Sequence, residues 1–219
     1  MTIRNLEAVF NPHSVAVIGA SEKPGALGGI LFANVCQHFP GQVYPVNPGY
    51  ETVLGRPAYA RVADLPVTPD FAVIVTPPAT VPQLIAELGE KGTKGVCIIS
   101  AGPQQDDDPN GQWRQDVLNA AQRHLVRIVG PNCVGLQVPH CGLNASFAHV
   151  FPSQGSIGFV AQSGAVITTV LDWAHPRNIG FSHVVSLGDT LDVDFGDMLN
   201  YLAADENTQS ILLYIEAIT

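Results

Sequence analysis

A glycine-rich loop near residue 20 combines residue types that suit the binding of a phosphate group. It begins at Gly19, where an apolar run ends, and carries Ser21, Gly25 and Gly28 before or at the start of a helical pattern. The first N–H groups of a helix have no partner within the helix, and they bind phosphate without a positively charged side chain. The loop therefore predicts a phosphate-binding site between a strand and a helix.

The spacing of this loop argues against a dinucleotide site. The dinucleotide fingerprint G-x-G-x-x-G requires a tight first pair of glycines, which the run GASEKPGALGG lacks. Dinucleotide sites also place an Asp or Glu after the second strand, where it accepts a hydrogen bond from the ribose; here Asn47 takes that position. An NAD(H)-binding redox-sensing module and a glycine-rich turn without a ligand stay as alternatives.

Three further predicted strands end in loops of similar character, which read TPP, SAG and GPN. The carboxyl ends of parallel strands meet at one edge of a sheet, and ligands bind there. These loops supply small, proline-fixed or amide residues and no triad of acid, base and nucleophile. The pattern predicts a surface that holds an extended ligand, with contributions from Thr76, Pro78, Ser100, Gly102, Pro131 and Asn132.

Apolar runs rich in Val and Ile alternate with helical patterns along the chain, which predicts a doubly wound α/β sheet. The predicted strands are 15–19, 42–46, 71–76, 95–100, 126–130, 157–161, 182–186 and 211–215. The predicted helices are 27–38, 80–91, one within 107–124, 165–174 and 192–203. Thr80 is a candidate N-cap, and Asp192 and Asp194 suit a helix N-terminus.

Residues 138–155 interrupt this alternation, because they carry Pro139, Gly142, Pro152 and Gly155 without a periodic core. We expect a connection at 139–155 between a first domain at 1–138 and a second domain at 156–219. The second domain supplies only three predicted strands and two predicted helices, a small sheet for an α/β domain. We therefore expect the chain to be a fragment of a longer protein, with its second domain truncated.

The composition is that of a folded chain in a reducing compartment. Hydrophobic residues make up 46% of the 219 residues and charged residues 13%, which argues against disorder. The net charge of −9 disfavours nucleic acid as a partner. The sequence shows neither a membrane span nor a signal peptide, and its four cysteines lack CxxC spacing. We expect a cytoplasmic protein without a metal site. The sequence leaves open whether the protein forms a homo-oligomer.

The joint occurrence of several motifs resembles the CoA-binding domain shared by the succinyl-CoA synthetase α subunit and the NDP-forming acyl-CoA synthetases. The matching runs are VAVIGAS-x-x-PG, PVNP, VTPP, IISAG, GPN-x-x-G, FVAQSGA, SLGD and LLYIEAI, which cover nearly the whole chain. The resemblance implies a Rossmann-like CoA-binding domain followed by an incomplete flavodoxin-like, succinyl-CoA-synthetase-like domain.

This resemblance implies that the ligand is coenzyme A or acetyl-CoA. Acetyl-CoA is a small-molecule CoA thioester. It places the nucleotide and pyrophosphate near Ser21, Gly25 and Gly28, at the end of the strand that Gly19 closes. Asn47, Thr76, Pro78 and the turn from Ser100 to Gly102 would add to that site. Pro131 and Asn132 would approach the pantetheine and the thiol.

The resemblance also implies phosphoryl transfer through a histidine beyond Thr219. By this resemblance, the turn at Ser163–Gly164 would receive the phosphate of the phosphohistidine, and Glu216 would orient that histidine. Ser163 suits this role physically as an N-cap with free N–H groups behind it, although an ordinary capped helix is the alternative. ATP or ADP and Mg²⁺ would belong to the missing part of the protein. The seven histidines present are expected to be structural or solvated.

Two parent proteins remain open at this point. The first is an NDP-forming acyl-CoA synthetase, whose remaining domains or subunit would be the partners of this fragment. The second is a protein lysine acetyltransferase with a GNAT domain, in which this region senses acetyl-CoA; the runs GLNASF, AQSGAV and LDWA favour it. In both cases we expect the fragment to bind its ligand without turnover.

Overall fold

The computed structural model describes residues 3–217 and places them in helices and strands that alternate along the chain. The helices are α1 (Leu6–Phe10), α2 (Leu27–His38), α3 (Val81–Lys91), α4 (Gln112–His124), α5 (Gly164–Ala174) and α6 (Phe195–Ala204). The strands are β1 (Ser14–Ile18), β2 (Gln42–Val46), β3 (Thr52–Val53), β4 (Arg56–Pro57), β5 (Phe71–Ile74), β6 (Gly95–Ile98), β7 (Arg127–Val129), β8 (Gly135–Val138), β9 (Leu143–Ser146), β10 (Gln154–Ala161), β11 (Phe181–Ser186) and β12 (Ser210–Tyr214).

The first sheet has the strand order β2-β1-β5-β6-β7, and its neighbouring strands pair in parallel. Strands β1, β5, β6 and β7 are buried along their whole length. Continuous Val- and Ile-rich runs are typical of strands that are covered on both faces, so the sequence predicted this burial. The parallel pairing brings the carboxyl ends of all five strands to one edge, as predicted.

The second sheet has the order β12-β10-β11-β8-β9. Strand β10 pairs in parallel with β11 and β12, whereas β8 runs antiparallel to both β11 and β9. The mixed α/β architecture with a parallel sheet is confirmed. The eight predicted strands all overlap observed strands, while the short hairpin β3–β4 and the hairpin β8–β9 were not predicted.

Hairpin β8–β9 corrects the expectation that residues 139–155 form an irregular connection. Strand β9 lies in that range and is buried at every position. Polar residues hid the strand pattern, because Gln137, Asn144 and Ser146 hydrogen-bond to one another inside the sheet. Buried polar groups that satisfy one another do not disturb a strand. The domain division at 1–138, 139–155 and 156–219 stays a prediction.

Carboxylates lie at the starts of α4 and α6, and α6 begins later than predicted. The Asp108 carboxylate accepts from the backbone N–H groups of Gln112 (2.8 Å) and Trp113 (2.9 Å), and α4 begins at Gln112, within the predicted range 107–124. Asp194 caps α6, which begins at Phe195 and not at 192. Helix α1 was not predicted, since five residues are too few to show a period.

Two predicted helix-start residues have other roles. The Thr80 hydroxyl donates to the carbonyl oxygen of Pro77 (2.8 Å), and its side chain makes no capping bond to the described part of α3. Asp192 lies before α6, but its carboxylate accepts from Arg127 Nε (2.9 Å) and from the N–H of Ile128 (2.8 Å). A charged partner in the tertiary structure thus took the side chain that the local pattern had assigned to a helix.

Buried contacts join the two sheets. One hydrophobic cluster contains residues of both, among them Val17, Leu136 and Val185. Beside it, Arg127 of β7 binds Asp192 and also Asp197 of α6, with an Nη2–Oδ2 distance of 2.6 Å. The side chains of Arg127 and Asp197 are 7% and 6% exposed. In the described range 3–217, none of the helices is both long and apolar enough to cross a membrane.

Candidate functional site

Three adjoining cavities lie at the carboxyl ends of the strands. The outer cavity, about 400 Å³, opens between β2 and α3, and the loop cavity, about 460 Å³, lies over the start of α2. The junction cavity, about 610 Å³, lies where the two sheets meet. Gly19, Asn47, Thr76 and Pro77 line both the outer and the loop cavity, and Leu27 and Ile99 line both the loop and the junction cavity.

The glycine-rich loop is held in shape by Ser21 and by side chains of the segment that follows β2. Asn47 Nδ2 donates to the carbonyl oxygen of Ala20 (2.7 Å), and Asn47 Oδ1 accepts from the N–H of Gly49 (2.9 Å). Ser21 Oγ lies 3.1 Å from the Tyr50 hydroxyl and accepts from the N–H of Lys23. Asn47, which stands where dinucleotide sites have a carboxylate, therefore holds the glycine-rich loop through a hydrogen bond to its backbone.

Helix α2 starts against the end of β1 without a capping side chain. Its N-cap is Ala26, and within the described residues its first turn contains neither a side-chain cap nor an acidic residue. A Cβ on Gly28 would lie 1.9 Å from the carbonyl oxygen of Gly19. Glycine at this position lets the helix start approach the strand closely, and Ala26, Leu27 and Gly28 at this start line the loop cavity.

The loops after β5 and β6 complete the wall of the loop cavity. Ser100 Oγ donates to the carbonyl oxygen of Thr76 (2.6 Å), and Thr76 Oγ1 lies 2.7 Å from Thr80 Oγ1. These contacts tie the two neighbouring strand ends to each other. The structure therefore brings together six of the predicted ligand residues, namely Gly19, Ser21, Gly28, Asn47, Thr76 and Ser100.

The junction cavity contains the residues predicted for phosphoryl transfer. Ser163 Oγ accepts from the N–H of Val166 (3.5 Å), which confirms that this serine is an N-cap. A Cβ on Gly164 would lie 2.2 Å from Val134 Cγ2, so the helix start packs tightly against the opposite wall. Asn132 Nδ2 donates to Asp189 Oδ1 (3.0 Å) across the same cavity.

Glu216 lines the junction cavity and follows a strand that is not buried. Strand β12 forms the edge of the second sheet, and its residues alternate between exposed and half-buried. Glu216 itself is exposed, so its carboxylate needs no buried partner. The side chain of Gln162 fixes the backbone there, because Gln162 Oε1 accepts from the N–H groups of Glu216 (2.7 Å) and Ala217 (3.0 Å).

Four predicted ligand residues do not line these three cavities in the described part of the chain. The carbonyl oxygen of Pro78 accepts from the indole N–H of Trp113 (2.7 Å), and Gly102 lies against the same indole. Pro131 follows a cis peptide bond, and its carbonyl oxygen accepts from the N–H of Asp189 (2.9 Å). Gly25 lines a fourth cavity beside Lys23, which shares Ser21 and Ala26 with the loop cavity.

The apolar wall of the junction cavity was not predicted. It is formed by Leu27, Ile99, Cys133, Val134 and Phe147. These residues carry no chemical signal, because apolar side chains in a sequence indicate a core. The run GLNASF, which contains Phe147, was noticed only as part of a resemblance. Their role as a cavity wall depends on the junction between the sheets.

The described residues contain no group of three or more His, Cys, Asp or Glu side chains placed to hold a metal ion. His183 lies inside β11, and its side chain is 4% exposed. Burial lowers the pKa of His183 to about 4, while the carboxylate of Asp205, 3.6 Å from Nδ1, opposes that shift. This histidine is a buried residue that is neutral at neutral pH, and it lines a different cavity from Ser163.

Comparison with family models gives two matches that together cover most of the chain. Residues 13–139 match the family described as CoA binding domain. Residues 154–219 match the family described as Succinyl-CoA ligase like flavodoxin domain.

The chain is similar to parts of longer ligases. It is 42% identical over 213 residues to the ADP-forming acetate–CoA ligase of Methanocaldococcus jannaschii, covering 97% of this chain and 30% of that protein. It is 41% identical to the α subunit of acetate–CoA ligase II of Pyrococcus furiosus, covering 97% of this chain and 46% of that subunit. The chain thus spans about a third to a half of the length of these curated relatives.

Solved structures share the arrangement of both sheets. A crystal structure of a protein from Pyrococcus horikoshii OT3 superposes with a TM-score of 0.93 at 40% identity, covering 98% of this chain and 49% of that one. The acetyl-coenzyme A synthetase 1 of Ca. Korarchaeum cryptofilum, in complex with phosphate and ADP, superposes with a TM-score of 0.91 at 33% identity, covering 98% and 46%.

Proposed function

Because this chain belongs to the family of CoA-binding domains and continues into a succinyl-CoA-ligase-like flavodoxin domain, we propose that its three cavities bind coenzyme A or acetyl-CoA. The observation that carries the proposal is the continuity of the cavities around the start of α2, through the walls they share. Coenzyme A is a long ligand with a nucleotide, a pyrophosphate and a thiol-bearing arm. One continuous cleft suits such a shape.

The pyrophosphate is placed in the loop cavity, against the first turn of α2. Backbone N–H groups and the positive end of the helix dipole stabilise the phosphate oxygens there. Lys23 lies in the same loop and is exposed, so it adds a positive charge. Gly19, Ser21, Gly28, Asn47, Thr76 and Ser100 shape the wall, and Gly25, Pro78 and Gly102 support the adjacent turns.

The nucleoside is placed in the outer cavity. Its walls include the apolar side chains of Val46, Val62 and Leu84, together with Pro77. A purine ring is flat and largely apolar, so it gains from contact with such a surface. Arg61 lines the same cavity and is exposed, which gives a cation for a phosphate on the ribose.

The thiol is placed in the junction cavity beside Asn132, with Pro131 fixing the loop. This position puts the thiol next to the Ser163–Gly164 helix start. In the longer protein, we propose ligation of an acid to CoA with a nucleoside triphosphate, through a phosphohistidine supplied by another segment or subunit. The N–H groups at the start of α5 would hold the phosphate, and the exposed carboxylate of Glu216 would orient the histidine.

The other parent proteins have less support. The relatives compared above are named as ADP-forming ligases, so a GNAT-fused acetyltransferase gains nothing from them. An NAD(H) module conflicts with the CoA-binding family match and with Asn47 at the ribose position. A ligase whose remaining domains bind the nucleotide and Mg²⁺ is the parent that the geometry supports best.

Calorimetric titration of the chain with CoA, acetyl-CoA and NADH tests the binding proposal. We expect saturable binding of CoA and acetyl-CoA with one molecule per chain, and no heat of binding with NADH. Binding of NADH without binding of CoA would overturn the proposal.

A charge placed at the start of α2 tests the pyrophosphate position. Leu27 is 45% exposed and lines both the loop and the junction cavity, so Leu27→Asp should fold normally. Repulsion between this carboxylate and the pyrophosphate should weaken CoA binding by about tenfold or more, which corresponds to about 1.4 kcal/mol. The matched control is Leu199→Asp on α6, because Leu199 is 40% exposed and lines none of the three cavities among the described residues. Equal CoA affinity in both variants would contradict the placement.

A further inference from the structure

Two cysteines lie in contact at the wall of the junction cavity. Cys97 belongs to β6 and Cys133 to the segment between β7 and β8, and their Sγ atoms are 3.6 Å apart. Both are free thiols in this structure. A disulfide bond is about 2 Å long, so the two sulfur atoms need to approach each other by about 1.5 Å to form one. The pair is therefore a candidate for thiol–disulfide exchange.

The two thiols differ in their access to a ligand. Cys133 is 5% exposed and lines the junction cavity, whereas Cys97 is 0% exposed and, in the described chain, lines none of the three cavities. Asn132 and Glu216 on the wall of the junction cavity are exposed, so this cavity is open to solvent. A reagent that enters the cavity therefore meets Cys133 before it can reach Cys97.

Close contacts hold the two sulfur atoms in place. The Cys133 thiol donates to the carbonyl oxygen of Ile98 (3.2 Å), and a Cβ on Gly130 would lie 3.0 Å from the same sulfur. The hydrogen bond with Cys133, together with burial, raises the pKa of the Cys97 thiol well above its ordinary value. Because the thiolate is the nucleophile in disulfide exchange, Cys97 is unsuited to the first attack on a reagent. Its contact with Cys133 suits a second step, in which it attacks a disulfide already formed there.

The CoA site proposed above puts a thiol beside Asn132, the residue before Cys133. On the basis of that site, we propose that Cys133 and Cys97 form a disulfide by exchange with CoA disulfide, which they reduce to two molecules of CoA. Cys133 attacks first, and Cys97 then displaces the second CoA. One CoA half of the reagent occupies the cleft, and the other extends from the open side of the junction cavity. This activity is separate from the ligation of an acid, since it uses neither a nucleoside triphosphate nor a phosphohistidine.

The exchange proceeds in two balanced steps. In the first, the Cys133 thiol gives its proton to water, and its sulfur attacks one sulfur of CoA disulfide. A bond between Cys133 and CoA forms, the bond between the two CoA sulfurs breaks, and the departing CoA thiolate takes up a proton. In the second, Cys97 gives up its proton and attacks the Cys133 sulfur, and the remaining CoA leaves as a thiolate that is protonated in turn. Two protein thiols are oxidised to one disulfide, and one CoA disulfide is reduced to two thiols.

Incubation of the reduced chain with CoA disulfide tests the exchange. Peptide mapping by mass spectrometry should find Cys97 and Cys133 in one linked peptide, and chromatography should find two CoA thiols released per chain. Oxidised glutathione has no nucleotide to hold it in the cleft, so it should oxidise the pair at least about tenfold more slowly. If CoA binds the chain while CoA disulfide leaves both thiols reduced, or reacts no faster than oxidised glutathione, the exchange proposal is wrong. Failure of CoA itself to bind would overturn the proposed function instead.

Two variants separate the roles of the two sulfur atoms. Cys97→Ala lacks the second step, so one CoA should stay attached to Cys133, whereas Cys133→Ala should show neither this adduct nor the linked peptide. The control is Cys36→Ala, because Cys36 lies on α2 and lines none of the three cavities in the described range; it should behave like the parent chain.

Thermal melting checks that the variants are folded. Release of both CoA thiols by Cys97→Ala, or a CoA adduct on Cys97 in Cys133→Ala, would contradict the assigned order of attack. If a variant does not fold, peptide mapping of the parent chain still decides whether the pair is oxidised.

Discussion

Helices α2 and α6 begin in opposite ways, and the difference shows which helix start is open to an anionic ligand. Helix α6 is capped by Asp194, whose Oδ1 accepts from the N–H of Asp197 (2.8 Å). Asp197 lies in the first turn and binds Arg127. Helix α2 begins at Ala26 without a side-chain cap or an acid in its first turn, as far as the described chain shows.

The start of a helix serves different purposes at α2 and α6. A helix start carries N–H groups and a partial positive charge, both of which favour an anion. At α6 the protein supplies that anion itself and uses it to fasten the two sheets together. At α2 no side chain takes this position among the described residues, so a phosphate group can. Helix α5 lies between the two cases, because Ser163 caps it with a long bond of 3.5 Å.

The largest loss of stability is expected when the buried ion pairs at the start of α6 are removed. Arg127→Met removes the buried cation that faces Asp192 and Asp197, and loss of one partner of a buried ion pair costs about 3–5 kcal/mol. Urea denaturation should show this decrease in the free energy of unfolding. The control is Arg61→Met, because the Arg61–Asp64 pair is exposed and screened by solvent, so its loss should change the free energy of unfolding little. Equal losses in the two variants would mean that the α6 start is not held by its charges.

The other end of α6 should make stability depend on pH. His183 faces Asp205, which follows α6, and the pKa of His183 is lowered to about 4 by burial; Asp205 and Glu7 oppose that shift, and His140 adds to it. The folded pKa lies below the ordinary value near 6.5, so the unfolded chain binds the proton more tightly. Stability is therefore full above pH 6.5 and is lost as the pH falls toward 4, by about 3 kcal/mol.

Denaturant titrations at several pH values measure this effect. His183→Phe keeps an aromatic ring beside Phe10 and Tyr201, and it should flatten the dependence between pH 6.5 and 4. The control is His124→Gln, which removes a half-buried histidine at the end of α4. A slope that survives in His183→Phe would assign the effect to other groups.

The smallest change in stability is expected when the N-caps of α2 and α6 are substituted. Ala26 already has the extended backbone of an N-cap (φ −70°, ψ 133°), so Ala26→Asp should cap α2 and stabilise the chain by about 0.5–1 kcal/mol. The new carboxylate would also occupy the N–H groups and weaken CoA binding by about tenfold. Asp194→Ala should do the reverse, with about 1 kcal/mol of stability lost and CoA binding unchanged. If Ala26→Asp binds CoA as tightly as the parent chain, the start of α2 does not hold the pyrophosphate.

Much of the fold was predictable, because its strands and helices have strong local patterns. Val- and Ile-rich runs marked all five strands of the first sheet, and α2 was predicted with its observed bounds. Part of the candidate site was predictable for the same reason, since parallel strands bring their carboxyl ends together. The helix start at 192 was wrong by a few residues, because the carboxylate of Asp194 caps the helix that begins at Phe195.

Eight of the strands, five of the helices, the loop that begins at Gly19 and the N-cap at Ser163 were predictable from the sequence. Each of these depends on residues that are neighbours in the chain. The tertiary structure alone decided that hairpin β8–β9 joins the second sheet, that Asp192 binds Arg127, that Glu216 is exposed at a sheet edge, and that Phe147 lines a cavity. These features depend on contacts between residues far apart in the chain, and no local pattern encodes the partner of such a contact.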